Sequence, residues 1–159
     1  MQTFSFQLTT KIYFGTDITR QALEQERSRL AGNLLIVTTG RSLISHGHLA
    51  RLVSCLENTG KVTIFDKVSQ NPRLEEVREA IRIGKENRID TIIGFGGGSA
   101  LDAAKAVALG IPTKEDVGEY LLNGKEPSQN VLPMIAIPTT AGSGSELSRA
   151  AILSSPSII

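Results

Sequence analysis

The sequence predicts an α/β domain built on a doubly wound, mostly parallel sheet with helices on both faces. Three observations predict it. Leu34-Leu35-Ile36-Val37, Val62-Thr63-Ile64-Phe65 and Thr91-Ile92-Ile93-Gly94-Phe95 are short apolar runs without strict alternation, as expected of strands covered on both faces. Their starts are 28 and 29 residues apart, enough for a strand, two loops and a crossover helix. The stretches between them carry apolar residues at helical spacing, so strand and helix alternate as in a parallel sheet. At 159 residues the chain has the length of one domain, by the rule of roughly 100–200 residues each.

Each element follows from its residues. Phe4, Phe6 and Leu8 alternate, and Lys11-Ile12-Tyr13-Phe14 runs up to Gly15, which reads as two short strands of an edge ribbon. Asp17 is a candidate cap for a helix carrying Ile18, Ala22, Leu23 and Leu30, ended by Gly32. After the first apolar strand, Leu49, Leu52, Val53 and Leu56 mark a helix face closed by Asn58-Thr59-Gly60. Asn71-Pro72 breaks the chain after the second strand, and Leu74, Val77, Ala80 and Ile81 share the next helix face. The third strand runs into Gly96-Gly97-Gly98-Ser99 and an alanine-rich helix over residues 100–109. Residues 114–122 predict a short helix, 123–130 a polar loop, 134–137 a fourth buried strand, and 148–153 a final short strand.

Composition narrows the function. Hydrophobic residues at 40% and charged residues at 21% place the chain outside the disordered class. The formal net charge of +1 gives no electrostatic footprint for nucleic acid or an anionic membrane. No apolar run approaches the ~20 residues of a transmembrane helix. The opening Met1-Gln2-Thr3-Phe4-Ser5-Phe6 does not read as a signal peptide, so a cytoplasmic setting is expected. Cys55 is the one cysteine, which excludes an internal disulfide framework and a Cys-rich zinc site. Set among Leu52, Val53 and Leu56, it reads as a small buried filler. His46 and His48 share one turn, Ser45-His46-Gly47-His48, and read as a solvated helix start.

Two segments carry chemistry. In Gly94-Phe95-Gly96-Gly97-Gly98-Ser99, a buried strand passes through glycines into a helix. Glycines admit close backbone approach, and the helix start offers free N–H groups and a positive dipole end, which together suit a phosphate or pyrophosphate. Pro138-Thr139-Thr140-Ala141-Gly142-Ser143-Gly144-Ser145-Glu146 follows the fourth strand, where clustered hydroxyls suit phosphate and ribose. Ligands of an open parallel sheet sit at these carboxyl strand ends.

Gly96-Gly97-Gly98-Ser99-x-x-Asp102-x-x-Lys105 followed by that second loop resembles the iron-containing (group III) metal-dependent alcohol dehydrogenases. Tyr13-Phe14-Gly15, Val37-Thr38-Thr39-Gly40 and Asn71-Pro72 fall in the matching order. The resemblance implies a nicotinamide dinucleotide-binding portion, covering residues 1–159, of an enzyme interconverting an alcohol and an aldehyde or ketone. Gly97, Gly98 and Ser99 would hold the pyrophosphate, with Gly96 also in the cofactor-binding set. Thr139 and Thr140 would meet the adenosine and phosphate side, Ser143 and Ser148 would add hydroxyl contacts, and Asn71 would lie near the adenine. Lys105 would reach a ribose and Asp102 would line the nicotinamide end, with a plain helix-surface ion pair as the alternative. NAD-preferring relatives often carry an aspartate after the first apolar strand; here Gly40 makes room, and Arg41 and Ser42 offer groups for a 2′-phosphate. NADP is therefore favoured over NAD. The family's second, helical domain supplies aspartate and histidine ligands to iron or zinc. That domain is expected to be absent here, leaving this chain with no metal site and no turnover of its own. A homodimer pairing through the opening strands is also implied. A non-catalytic nucleotide-binding module, or a fragment of a dehydroquinate synthase-like or glycerol dehydrogenase-like enzyme, stands as the alternative.

Overall fold

The computed structural model of the chain describes residues 9–57, 59–126 and 130–155. The strands β1 (Leu34–Thr38), β2 (Val62–Phe65), β3 (Thr91–Gly96) and β4 (Met134–Pro138) form one sheet in the order β2-β1-β3-β4, every neighbouring pair parallel. The helices are α1 (Ile18–Gln25), α2 (Arg41–Ser45), α3 (His48–Cys55), α4 (Leu74–Glu86), α5 (Gly98–Gly110) and α6 (Gly118–Leu122).

The two-residue period of the strands sorts the core into two layers. Leu35, Val37 and Ile92 face α4 and α5, packing with Leu74, Val77, Ala80, Ala103, Ala104 and Val107. Leu34, Ile36, Ile93 and Phe95 face the other side, with Leu23, Leu30, Leu43, Leu49, Leu52 and Leu56. The expected doubly wound arrangement is therefore present. The alanines of α5 answer a glycine in β3: a Cβ on Gly94 would lie 2.9 Å from the Ala104 Cβ and 3.1 Å from Leu101 Cδ2, so helix and strand approach at backbone range.

Several expectations are corrected. Residues 4–8 lie outside the described residues. Residues 11–14 are not a strand: they are tied instead to Glu26, which accepts the Tyr13 hydroxyl at 2.6 Å and the Lys11 ammonium at 2.8 Å. Asp17 occupies the position before α1 but in the left-handed region (φ 53°), and its side chain makes no capping bond. The helix expected from Asp17 to Leu30 ends at Gln25 and tightens into a 3-10 turn, Arg27–Leu30. Residues 114–117 are not helical, because Asp116 accepts the Gly118 N–H at 2.8 Å and delays the start of α6. β4 is half-buried rather than buried, since it is an edge of the sheet with β3 on one side only. Residues 148–153 form no strand; the chain crosses α5 and reaches only one isolated bridge, Arg73 with Ser154. Cys55 is half-buried against the second core layer, beside a shallow polar groove that Arg20 and Arg27 also line.

Candidate functional site

The order β2-β1-β3-β4 places a topological switch between β1 and β3: the chain leaves β1 toward β2 and returns on the opposite side as β3. The carboxyl ends of these strands carry Thr38-Thr39-Gly40 and Gly96-Gly97. A Cβ built on Gly96 would stand 3.8 Å from the Thr39 hydroxyl, so the two ends face each other. Gly96 has φ +148°, a conformation suited to glycine, and turns the chain into α5. Gly97 precedes the helix in extended backbone and has no side chain to cap it, which leaves the leading N–H groups of α5 directed at the crevice.

The second loop closes over this turn. The Thr139 N–H donates to the Gly96 carbonyl at 3.0 Å. The Thr140 hydroxyl lies 3.2 Å from where a Gly97 Cβ would stand, and the Ser143 hydroxyl 2.6 Å from a Gly98 Cβ. The missing side chains of Gly97 and Gly98 thus admit the hydroxyls of the partner loop. Backbone amides and small hydroxyls converge here without a carboxylate among them, a donor set that fits a pyrophosphate.

On the β1 side, Gly40 is buried with φ +80°, and a Cβ there would sit 2.5 Å from the Asp66 carbonyl at the end of β2. Gly40 N–H donates to the Thr38 hydroxyl at 3.4 Å. Arg41 and Ser42 follow as the exposed first residues of α2. His46 reaches back through Nδ1 to the Ser42 carbonyl at 2.8 Å.

A chain of identity runs through this geometry. The model of the family described as iron-containing alcohol dehydrogenase matches residues 9–157, nearly the whole chain. The chain belongs to that family. NADH-dependent butanol dehydrogenase A of Clostridium acetobutylicum is 32% identical over 157 residues, covering 97% of this chain and 39% of that protein. A sulfoacetaldehyde reductase from Bifidobacterium kashiwanohense, solved in complex with NAD+, superposes with a TM-score of 0.89 at 28% identity, covering 99% of this chain and 42% of that one. An iron-containing alcohol dehydrogenase from Thermotoga maritima gives 0.86 at 32% identity, over 98% and 43% of the two chains. The chain thus spans about two fifths of the length of these relatives.

Within this family member, the candidate residues do not all converge on one point. Gly96, Gly97, Gly98, Thr139, Thr140 and Ser143 come together at the glycine turn. Ser99 donates its hydroxyl to the Gln70 carbonyl, linking α5 to the loop that bears Asn71. That loop is shaped by Glu76, whose Oε2 accepts the N–H groups of Ser69 and Arg73, each at 3.1 Å. The Asn71 carbonyl accepts the hydroxyls of Ser69 at 2.8 Å and Ser154 at 3.3 Å. Ser148 turns its hydroxyl to the Ala150 N–H at 3.1 Å, within its own segment. Asp102 and Lys105 do pair, at 3.0 Å, and both also bond to residues 145–152. Sequence reasoning missed Gln70, Glu76 and Ser145. Arg73 at the position before α4 is not a capping residue type, so Glu76 gave no capping-box signature in the sequence.

Proposed function

We propose that the crevice between β1 and β3 binds a nicotinamide dinucleotide, and that the chain is the cofactor-binding portion of a metal-dependent alcohol dehydrogenase. The observation that carries this is the closure of the Thr139–Ser143 hydroxyl loop over the uncapped start of α5. NADP is favoured over NAD. Gly40 presents no carboxylate toward a 2′-phosphate, and Arg41 stands exposed beside it. The substrate is a small alcohol or its aldehyde or ketone, as the name of the butanol dehydrogenase relative supports.

The bound dinucleotide supplies hydride acceptance; the chain's own part is to hold the phosphates and orient the ring. The family name implies iron. Among the described residues no cluster of three or more His, Cys, Asp or Glu side chains fits a metal ion. Binding without alcohol turnover is the behaviour proposed for this chain by itself, tested by reduced-cofactor absorbance with small alcohols, with and without added metal. No described helix is long and apolar enough to cross a membrane. A homodimer through the opening segment is supported by Phe14, 98% exposed, and Ile12, 59% exposed.

Titration with NADPH and NADH, followed by quenching or transfer of the reduced-nicotinamide fluorescence, tests the reading. Tighter NADPH binding is expected. Equal affinities or tighter NADH would refute the cofactor preference, and no binding of either would refute the site.

A further inference from the structure

One carboxylate ties the segment after the hydroxyl loop to α5. Asp102 Oδ1 accepts the Ser145 hydroxyl at 2.6 Å and the Lys105 ammonium at 3.0 Å, and Oδ2 accepts the Ile152 N–H at 3.2 Å. Lys105 also donates to the Ala150 carbonyl at 2.5 Å. The two side chains are only 14% and 16% exposed, unlike an ordinary surface pair. Hydrogen bonds to an ionised partner are roughly twice as strong as neutral ones, so this is the firm attachment of residues 145–152.

What hangs from it is the loop over the glycine turn. One end is fixed where Thr139 bonds Gly96. The other is Ser145, buried, whose N–H donates to the Ser143 hydroxyl at 3.3 Å, and Ser143 is the residue lodged over Gly98. Between the anchors lie Gly142 and Gly144, with open space where their side chains would be, so the loop's position depends on its ends.

We propose that Asp102 is a positioning residue: through Ser145 it holds the 139–144 loop over the start of α5 in the form that receives the dinucleotide phosphates. Both of its carboxylate oxygens are engaged by the chain itself, through Ser145, Lys105 and Ile152. The inference rests on the dinucleotide reading of the crevice.

The test compares wild type, Ser145→Ala and Asp102→Asn by amide hydrogen exchange and by NADPH titration. Ser145→Ala deletes one bond and spares the Lys105 pair; Asp102→Asn places a donor or a neutral acceptor where the structure has carboxylate oxygens. Exchange at Leu147 and Ser148 is expected to quicken about tenfold in both variants, and at Ile152 in Asp102→Asn, the scale set by one lost hydrogen bond to a charged group, with β1 and β3 unchanged. The NADPH dissociation constant should rise by about tenfold alongside it. Faster exchange with unaltered NADPH affinity would overturn the proposal, since a merely structural tie gives that result. Unaltered exchange would overturn it as well. Wild-type protein that binds no dinucleotide overturns the reading of the crevice; binding wild type with equally tight variants overturns the latch alone.

Discussion

At Gly40 and Gly97 the backbone gives two different reasons for glycine. Gly40 has φ +80° and faces the Asp66 carbonyl, so any side chain is both strained and obstructed there. Gly40→Ala is expected to destabilise the fold by about 1–3 kcal/mol, read from the denaturant midpoint. Beyond the room it leaves for a proposed 2′-phosphate, this glycine is required by the turn from β1 into α2. Gly97 has φ −76° and ψ −174°, ordinary extended backbone, and its nearest neighbour is the exposed Thr140. A Cβ there meets only the Thr140 side chain, at 3.2 Å, so Gly97→Val should keep near wild-type circular dichroism while losing dinucleotide binding. A variant that binds as before would place the phosphates elsewhere. Charge at single residues adds a small acid sensitivity. The Arg78 guanidinium, bonded at 2.6 and 2.9 Å, holds the Asp116 carboxyl below its ordinary value. A depressed carboxylate stabilises the fold above its unfolded pKa of about 4, and that share is lost as pH falls through the lower folded value. With both side chains nearly half exposed, solvent screening keeps it below about 1 kcal/mol. Asp116→Asn should lower the thermal midpoint slightly at neutral pH and not at all in strong acid.

Among the elements, the strands were the most legible. Residues 34–37, 62–65 and 91–95 are strands within one residue of their apolar runs, because continuous β-branched and aliphatic residues between turn signals have few other ways to be buried. α5 was legible from its alanines, and Gly94 shows why they are small. Gly94→Val is expected to force helix and strand apart and to cost about 1–3 kcal/mol or more, measured by urea unfolding. What the sequence could not disclose were elements fixed by distant partners. Residues 11–14 read as a short strand run ending at Gly15 but are claimed by Glu26, and 148–153 looks strand-like but is drawn across α5 by Asp102 and Lys105. The glycine turn and the hydroxyl loop were each visible as motifs. Their contact was not, since it joins positions about forty residues apart through the β3–β4 pairing.

For the molecule as a whole, the topology decides where a ligand goes. Parallel strands in the order β2-β1-β3-β4 leave one crevice at the switch between β1 and β3, and the sequence delivers glycines to both of its lips. The two core layers lie beneath it, and Leu43 of α2 and Val68 after β2 tie the crevice loops into them. A bound dinucleotide must also raise the thermal midpoint in proportion to the logarithm of its concentration. The opening segment bears the exposed Phe14; removing residues 1–14 should lower the dimer fraction seen by light scattering, and an unchanged fraction would rule out that contact. The measurement closest to the central claim is a titration of isotope-labelled protein with NADP+ followed by amide chemical shifts. Shifts should concentrate at Gly40–Ser42, Gly96–Ser99 and Thr139–Ser143 and be absent in Gly97→Val. Saturating NADP+ and NAD+ that leave those amides unmoved, or that move only amides remote from the β1–β3 crevice, would contradict it.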